Sequence, residues 1–99
     1  METGIVTREK SKVKVKKPKH YKVIMHNDDF TTMEFAVHIL TTIFRKEMLE
    51  AERIMMDVHT KGRGIVGVYP YDIAVTKVSL SMEKAKEEGF PFKVTVEEE

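Results

Sequence analysis

Three acceptor-rich residues in a row, Asn27, Asp28 and Asp29, stand where an alternating apolar run ends and a helix signal begins. Their amide and carboxylate oxygens concentrate negative potential in a small volume, so the loop they form attracts a cation. Short polar side chains also bond nearby backbone N–H groups, and an ordinary Asx turn accounts for the cluster equally well. His59 follows Met55 by one helical turn and so shares a face with it. If His59 converges on the loop, two chemistries open. An ammonium group carries three donors and needs three acceptors close together, which Asn, Asp and neutral His supply. Alternatively, Asp28, Asp29 and His59, with His26 in reserve, are a metal triad at the centre of a small metal-dependent hydrolase. Nothing in the sequence supplies a fourth ligand, and the H-E-x-x-H spacing is absent.

The remaining composition narrows the choice. The chain of 99 residues holds no cysteine, which excludes disulfides, thiolate metal sites and cysteine nucleophiles and suits a reducing compartment. Gly62, Gly64 and Gly67 match the G-x-G-x-x-G spacing, yet they follow a helix signal and open a strand, the reverse of the dinucleotide-binding context. No cofactor is expected. Charges or polar residues interrupt every apolar run before the roughly 20 residues a spanning helix needs, and the lysine-rich start has no signal-peptide core; the cytoplasm is the expected location. Residues 1–22 hold 8 of the 17 Lys+Arg but 2 of the 16 Asp+Glu, a net +6 against −5 for the remainder. A basic, flexible arm over residues 1–18 therefore leads into an acidic body at 19–99. The arm admits an RNA-binding reading, but the acidic body argues against a nucleic-acid partner. Met33, Met55 and Met56 gather near the polar loop or His59, and methionine suits adaptable apolar sites as well as cores.

The elements that must position these residues follow from periodicity. Tyr21, Val23 and Met25 alternate with Lys22, Ile24 and His26, a strand of period two. Thr31 precedes Glu34 by three residues, the capping-box spacing. Met33, Ala36, Val37, Leu40, Ile43 and Phe44 then make a helical stripe through about Arg45. A second helix from about Met48 buries Ala51, Met55 and Val58 and stops at Gly62. Ile65, Val66, Val68 and Tyr69 form a strand. Pro70-Tyr71-Asp72 opens a third helix, with Ala74, Val78, Met82 and Ala85 inward, that stops at Gly89. Phe90, Phe92, Val94 and Val96 alternate as a last strand. The order β-α-α-β-α-β predicts an α+β fold, three strands packed against three helices.

Tyr21 to Phe35, with its core Asn27-Asp28-Asp29-Phe30-Thr31-Thr32-Met33-Glu34-Phe35, then Val58-His59, Gly62, Gly67-Val68 and Thr76-Lys77-Val78, resembles the ClpS family. These are adaptors that bind N-degrons and deliver them to the ClpAP protease. The resemblance runs from His20 to about Val96 and implies a monomeric, non-enzymatic protein with an antiparallel three-stranded sheet. It also implies that the pocket receives the free N-terminal Leu, Phe, Tyr or Trp of a substrate. Asn27 and His59 would accept from the ammonium, with Asp28 and Asp29 supplying negative charge and loop geometry. His59 accepts only through an unprotonated ring nitrogen, so binding would weaken in acid. Thr31, Met33, Ala36, Met55, Val58 and Phe92 would wall the pocket, Met33 as a gate against β-branched side chains. Asp72 and Lys77 would dock the ClpA-type unfoldase that partners the ClpP protease. Thr32, Ala36 and Phe92 stand where the family commonly has Pro, Val and Leu, one side of the pocket shrinking as another grows.

Overall fold

His20–His26 forms β1, where β-branched and aromatic side chains fill a pleated surface. In the computed structural model, which describes residues 19–99, β1 is the central strand of an antiparallel sheet. Its flanks are β2 (Arg63–Pro70) and β3 (Lys93–Glu98), in the order β2-β1-β3. The expected arm over residues 1–18 lies outside the described residues. Three helices, α1 (Met33–Thr42), α2 (Met48–Lys61) and α3 (Tyr71–Glu88), complete the order β-α-α-β-α-β. Both the α+β class and the three-on-three architecture agree with the sequence reading.

Val23 and Met25 face the helices and enter one core with Phe35, Ile39, Leu40, Ile54, Val58 and Val94. Ile24 points to the other face by the alternation of a strand, yet it too is fully buried. Simple inward-outward alternation therefore fails at the middle of β1. The register with β2 jumps between Val23 and Ile24, whose partners are Gly67 and Ile65, leaving Val66 as an extra, inward residue.

Several boundaries move. The cap of α1 is Thr32, not Thr31: Phe35 N donates to Thr32 Oγ1 at 3.1 Å. Thr31 is engaged elsewhere, so the expected Thr31–Glu34 box does not form. Regular helix ends at Thr42, and Arg45 turns the chain with φ 56° while Lys46 N donates to Leu40 O at 2.9 Å. That closing bond explains why apolar spacing runs on to Phe44 beyond the helix. On α3, Met82 is 39% exposed whereas its neighbour Ser81 is fully buried, its hydroxyl donating to Lys77 O at 2.8 Å. A satisfied small polar side chain thus sits where the apolar pattern pointed to its neighbour. Phe90 and Phe92 precede β3 and pack on Phe35, with centroids 5.0 and 5.5 Å away. Gly62 and Gly89 end α2 and α3 in the left-handed conformation, as read.

Candidate functional site

Asp28 builds the loop between β1 and α1. Its Oδ1 accepts from Phe30 N at 2.8 Å and Thr31 N at 2.7 Å, and its Oδ2 accepts from Thr31 Oγ1 at 2.7 Å. Burial pushes the carboxyl upward, but these bonds outweigh it and hold Asp28 below the ordinary carboxylate value. An anionic, tightly bent loop is therefore present at neutral pH. Asn27 N donates to Gly62 O at 3.0 Å, which ties the end of β1 to the end of α2. Gly64 draws the same two layers together: a Cβ there would lie 3.0 Å from Val58 Cγ2 and 3.1 Å from Ile54 O. A side chain there would have to push α2 back by a few tenths of an ångström, so glycine suits this close approach of β2 to α2.

These constraints leave a cavity of about 20 Å³ among the loop, α1, α2 and the segment before β3. Asn27, Asp28 and Thr31 supply its polar rim, and Ala36, Met55, Val58 and Phe92 its apolar wall. Seven residues expected from the sequence thus converge. Met25 and His26 also line it, and the reading above gave neither a place in the wall. The inward phase of β1 is the signal that points to Met25. His26 Nε2 lies within hydrogen-bond distance of Thr95 Oγ1, at 2.8 Å. Burial, then the positive charges of Lys93 and Arg63, lower its pKa despite Glu97. His26 is accordingly neutral at pH 7 and adds no positive charge to the rim.

Two expected members stand next door. Met33, 56% exposed, and His59 line a larger groove of about 660 Å³ between α1 and α2. Met55 lines both spaces and is their common wall. Asp29 is exposed and is not among the lining residues of the small cavity. Among the described residues, no group of three or more His, Cys, Asp or Glu is placed to hold a metal ion. Asp28, Asp29 and His59 therefore do not make the triad that a metal-dependent hydrolase requires. Among the same residues, no helix is long and apolar enough to cross a membrane.

Asp72 and Lys77 line a separate groove of about 490 Å³ beside Ile43 and Leu80. Asp72 is exposed in the first turn of α3. Lys77 is not a free surface cation: its ammonium donates to Ile43 O at 2.8 Å and lies 5.8 Å from the ring centroids of Phe44 and Tyr69. It fastens the end of α1 to α3.

Comparison with known proteins places this architecture. The family model described as "ATP-dependent Clp protease adaptor protein ClpS" matches residues 16–95. The chain is 50% identical over 99 residues to the ATP-dependent Clp protease adapter protein ClpS of Acetivibrio thermocellus, covering 100% of both chains. It is 53% identical over 89 residues to that of Clostridium acetobutylicum, covering 90% of this chain and 88% of the relative. Among solved structures, Agrobacterium tumefaciens ClpS2 bound to L-phenylalaninamide is similar at TM-score 0.81 and 41% identity, over 84% of this chain and 100% of that one. With the loop, the cavity and the fold in agreement, the chain belongs to the ClpS family of adaptor proteins of the ATP-dependent Clp protease.

Proposed function

We propose that the small cavity receives the first residue of a substrate protein beginning with Leu, Phe, Tyr or Trp. The cargo is then handed to a ClpA-type unfoldase and its ClpP partner, with no chemistry performed on it. The observation that carries this reading is an apolar wall meeting an anionic, acceptor-rich rim at Asn27, Asp28 and Thr31. The same combination suits the ligand of the Agrobacterium tumefaciens relative, since L-phenylalaninamide joins a cationic amine to a large apolar side chain. About 20 Å³ holds roughly one water molecule. A Leu or Phe side chain needs more room than this, and the unbranched side chain of Met55 is suited to give way to it. His59, which lines the neighbouring groove together with Met55, is the further acceptor for the ammonium in this reading.

Magnitudes favour a reversible carrier. Each charge-assisted hydrogen bond contributes about 1.5–3 kcal/mol, and burial of one large apolar side chain a similar amount. Association entropy removes several, which leaves affinity near the micromolar range, about −8 kcal/mol. Acetylation deletes the charge and leaves buried acceptors unpaired. Fluorescence anisotropy with otherwise identical peptides starting with Phe, Leu, Tyr, Trp, Ile or acetyl-Phe tests the reading. The first four bind, and Ile and acetyl-Phe bind at least about tenfold more weakly; equal binding of acetyl-Phe refutes it.

Delivery rests on two further features. Asp72 and the groove beside it face outward on α3, apart from the cargo cavity, so an unfoldase and a substrate can be held together. The lysine-rich residues 1–18 are long enough, at up to about 60 Å when extended, to be seized by an unfoldase pore. Deleting residues 2–17 should preserve peptide affinity and abolish ClpAP-dependent degradation of a Phe-initiated reporter; unchanged degradation would remove the segment from the delivery step. The protein acts as a cytoplasmic monomer in this reading.

A further inference from the structure

Sulfur is concentrated in the groove between α1 and α2. Of the 7 methionines, Met1 lies outside the described residues, and four of the other six, Met33, Met48, Met55 and Met56, line this groove. Met33, Met48 and Met56 are 56%, 54% and 60% exposed, whereas Met55 is 8% and Met25 0%. Leucine would supply the same apolar floor; what a thioether adds is a sulfur lone pair that an oxidant in solution can reach. The chain holds no cysteine, so no thiol competes for that oxidant and methionine carries all of its sulfur. The groove adjoins the proposed cargo cavity, because Met55 lines both.

We propose that Met33, Met48 and Met56 form a reversible modification site, at which peroxide oxidises the thioethers to sulfoxides and thereby weakens cargo binding. The effect on cargo rests on the reading of the cavity given above. One oxygen passes from hydrogen peroxide to the methionine sulfur: the O–O bond breaks, an S–O bond forms, and the remaining oxygen leaves as water. The sulfur is oxidised and the peroxide reduced. Each sulfoxide is a polar acceptor that holds water on a floor otherwise apolar, and an incoming peptide must strip that water as it enters the neighbouring cavity. Because the three side chains are exposed while Met25 and Met55 are shielded, the modification spares the core. A methionine sulfoxide reductase reverses it, the oxygen leaving as water and its dithiol reductant as a disulfide.

The test treats the full chain with hydrogen peroxide, follows each methionine by mass spectrometry, and measures fluorescence anisotropy with a labelled Phe-initiated peptide. Met33, Met48 and Met56 should gain oxygen before Met25 and Met55, and affinity should fall about fivefold. Thermal unfolding should remain cooperative, and the reductase with dithiothreitol should restore affinity. The triple variant Met33→Leu/Met48→Leu/Met56→Leu, whatever its own affinity, should bind equally before and after peroxide. Met82→Leu, which instead removes an exposed methionine of α3, should keep the full sensitivity. Unchanged affinity with the three sulfoxides in place overturns the proposal. So does a loss that persists in the triple variant, oxidation of Met25 in step with the exposed three, or an oxidised protein without cooperative unfolding. Untreated protein that binds acetyl-Phe as well as Phe peptide marks a failure of the cavity reading instead, and the effect on cargo falls with it.

Discussion

Asp28 shows how one carboxylate is turned from a ligand candidate into a scaffold. Both of its oxygens accept from Phe30 and Thr31, so its first task is to fix the loop that presents Asn27. Asp28→Ala should lower stability by about 1–2 kcal/mol and peptide affinity about tenfold. Asp28→Asn, which keeps one acceptor, should fall between the two; urea titration and anisotropy measure the pair, and an unaltered Asp28→Ala protein would show the loop is held otherwise. Acid reads the same contacts. The native pKa of Asp28 is lowered, so its contribution is complete above the ordinary carboxylate range and is lost as pH falls through the native value. His26 is also lowered, so its share begins to go below about pH 6.5, where the unfolded imidazole takes up a proton first. Stability should decline in two stages between pH 7 and 3, and His26→Gln should remove the upper one. Asx chemistry made this loop legible from three letters, since short polar side chains bond their own backbone. Which of the three turns inward was not legible: Asp28 lines the cavity whereas Asp29 is exposed, a consequence of how the turn packs.

At the scale of elements, the register of helix against sheet decides where the cavity lies. Gly64 brings β2 against Val58 and Ile54, and the bond from Asn27 N to Gly62 O closes the same corner. Gly64→Ala forces a Cβ to about 3.0 Å from Val58 Cγ2 and should cost about 1–3 kcal/mol, together with a loss of peptide affinity as α2 lifts. Thermal unfolding and anisotropy check both; a variant as stable as the parent would mean that α2 yields freely. Helix stops at Gly62 and Gly89 were readable because left-handed backbone favours glycine. The start of α1 was misplaced by one residue because two threonines compete for the cap, and Asp28 removes Thr31 from the contest. Met82 was misassigned because a long helix on a small sheet buries a narrow strip. Ser81, bonded to Lys77 O, occupies its centre.

Across the whole molecule, the proposed cargo and partner surfaces fall on different elements, the first on the β1–α1 loop, α1 and α2, the second on α3. Asp72 and Lys77 test this separation in opposite ways. Asp72→Ala, at an exposed first-turn site, should weaken unfoldase engagement with little change in stability or peptide binding. Lys77→Ala removes the bond to Ile43 O and should destabilise the fold by about 1.5–3 kcal/mol. Pull-down with the unfoldase and urea titration distinguish them; an Asp72→Ala protein that retains full engagement would move the docking surface elsewhere. The sequence by itself determined the element order, the polar loop, the helix stops and the family, because periodicity, backbone preference and a contiguous motif are all local properties. Only the tertiary structure decided that Met33 and His59 border a groove rather than the cavity, that Lys77 serves as an internal strut, and that His26 joins the wall. Those outcomes depend on which faces meet across distant segments, and a linear pattern carries the phase of each face but not its partner.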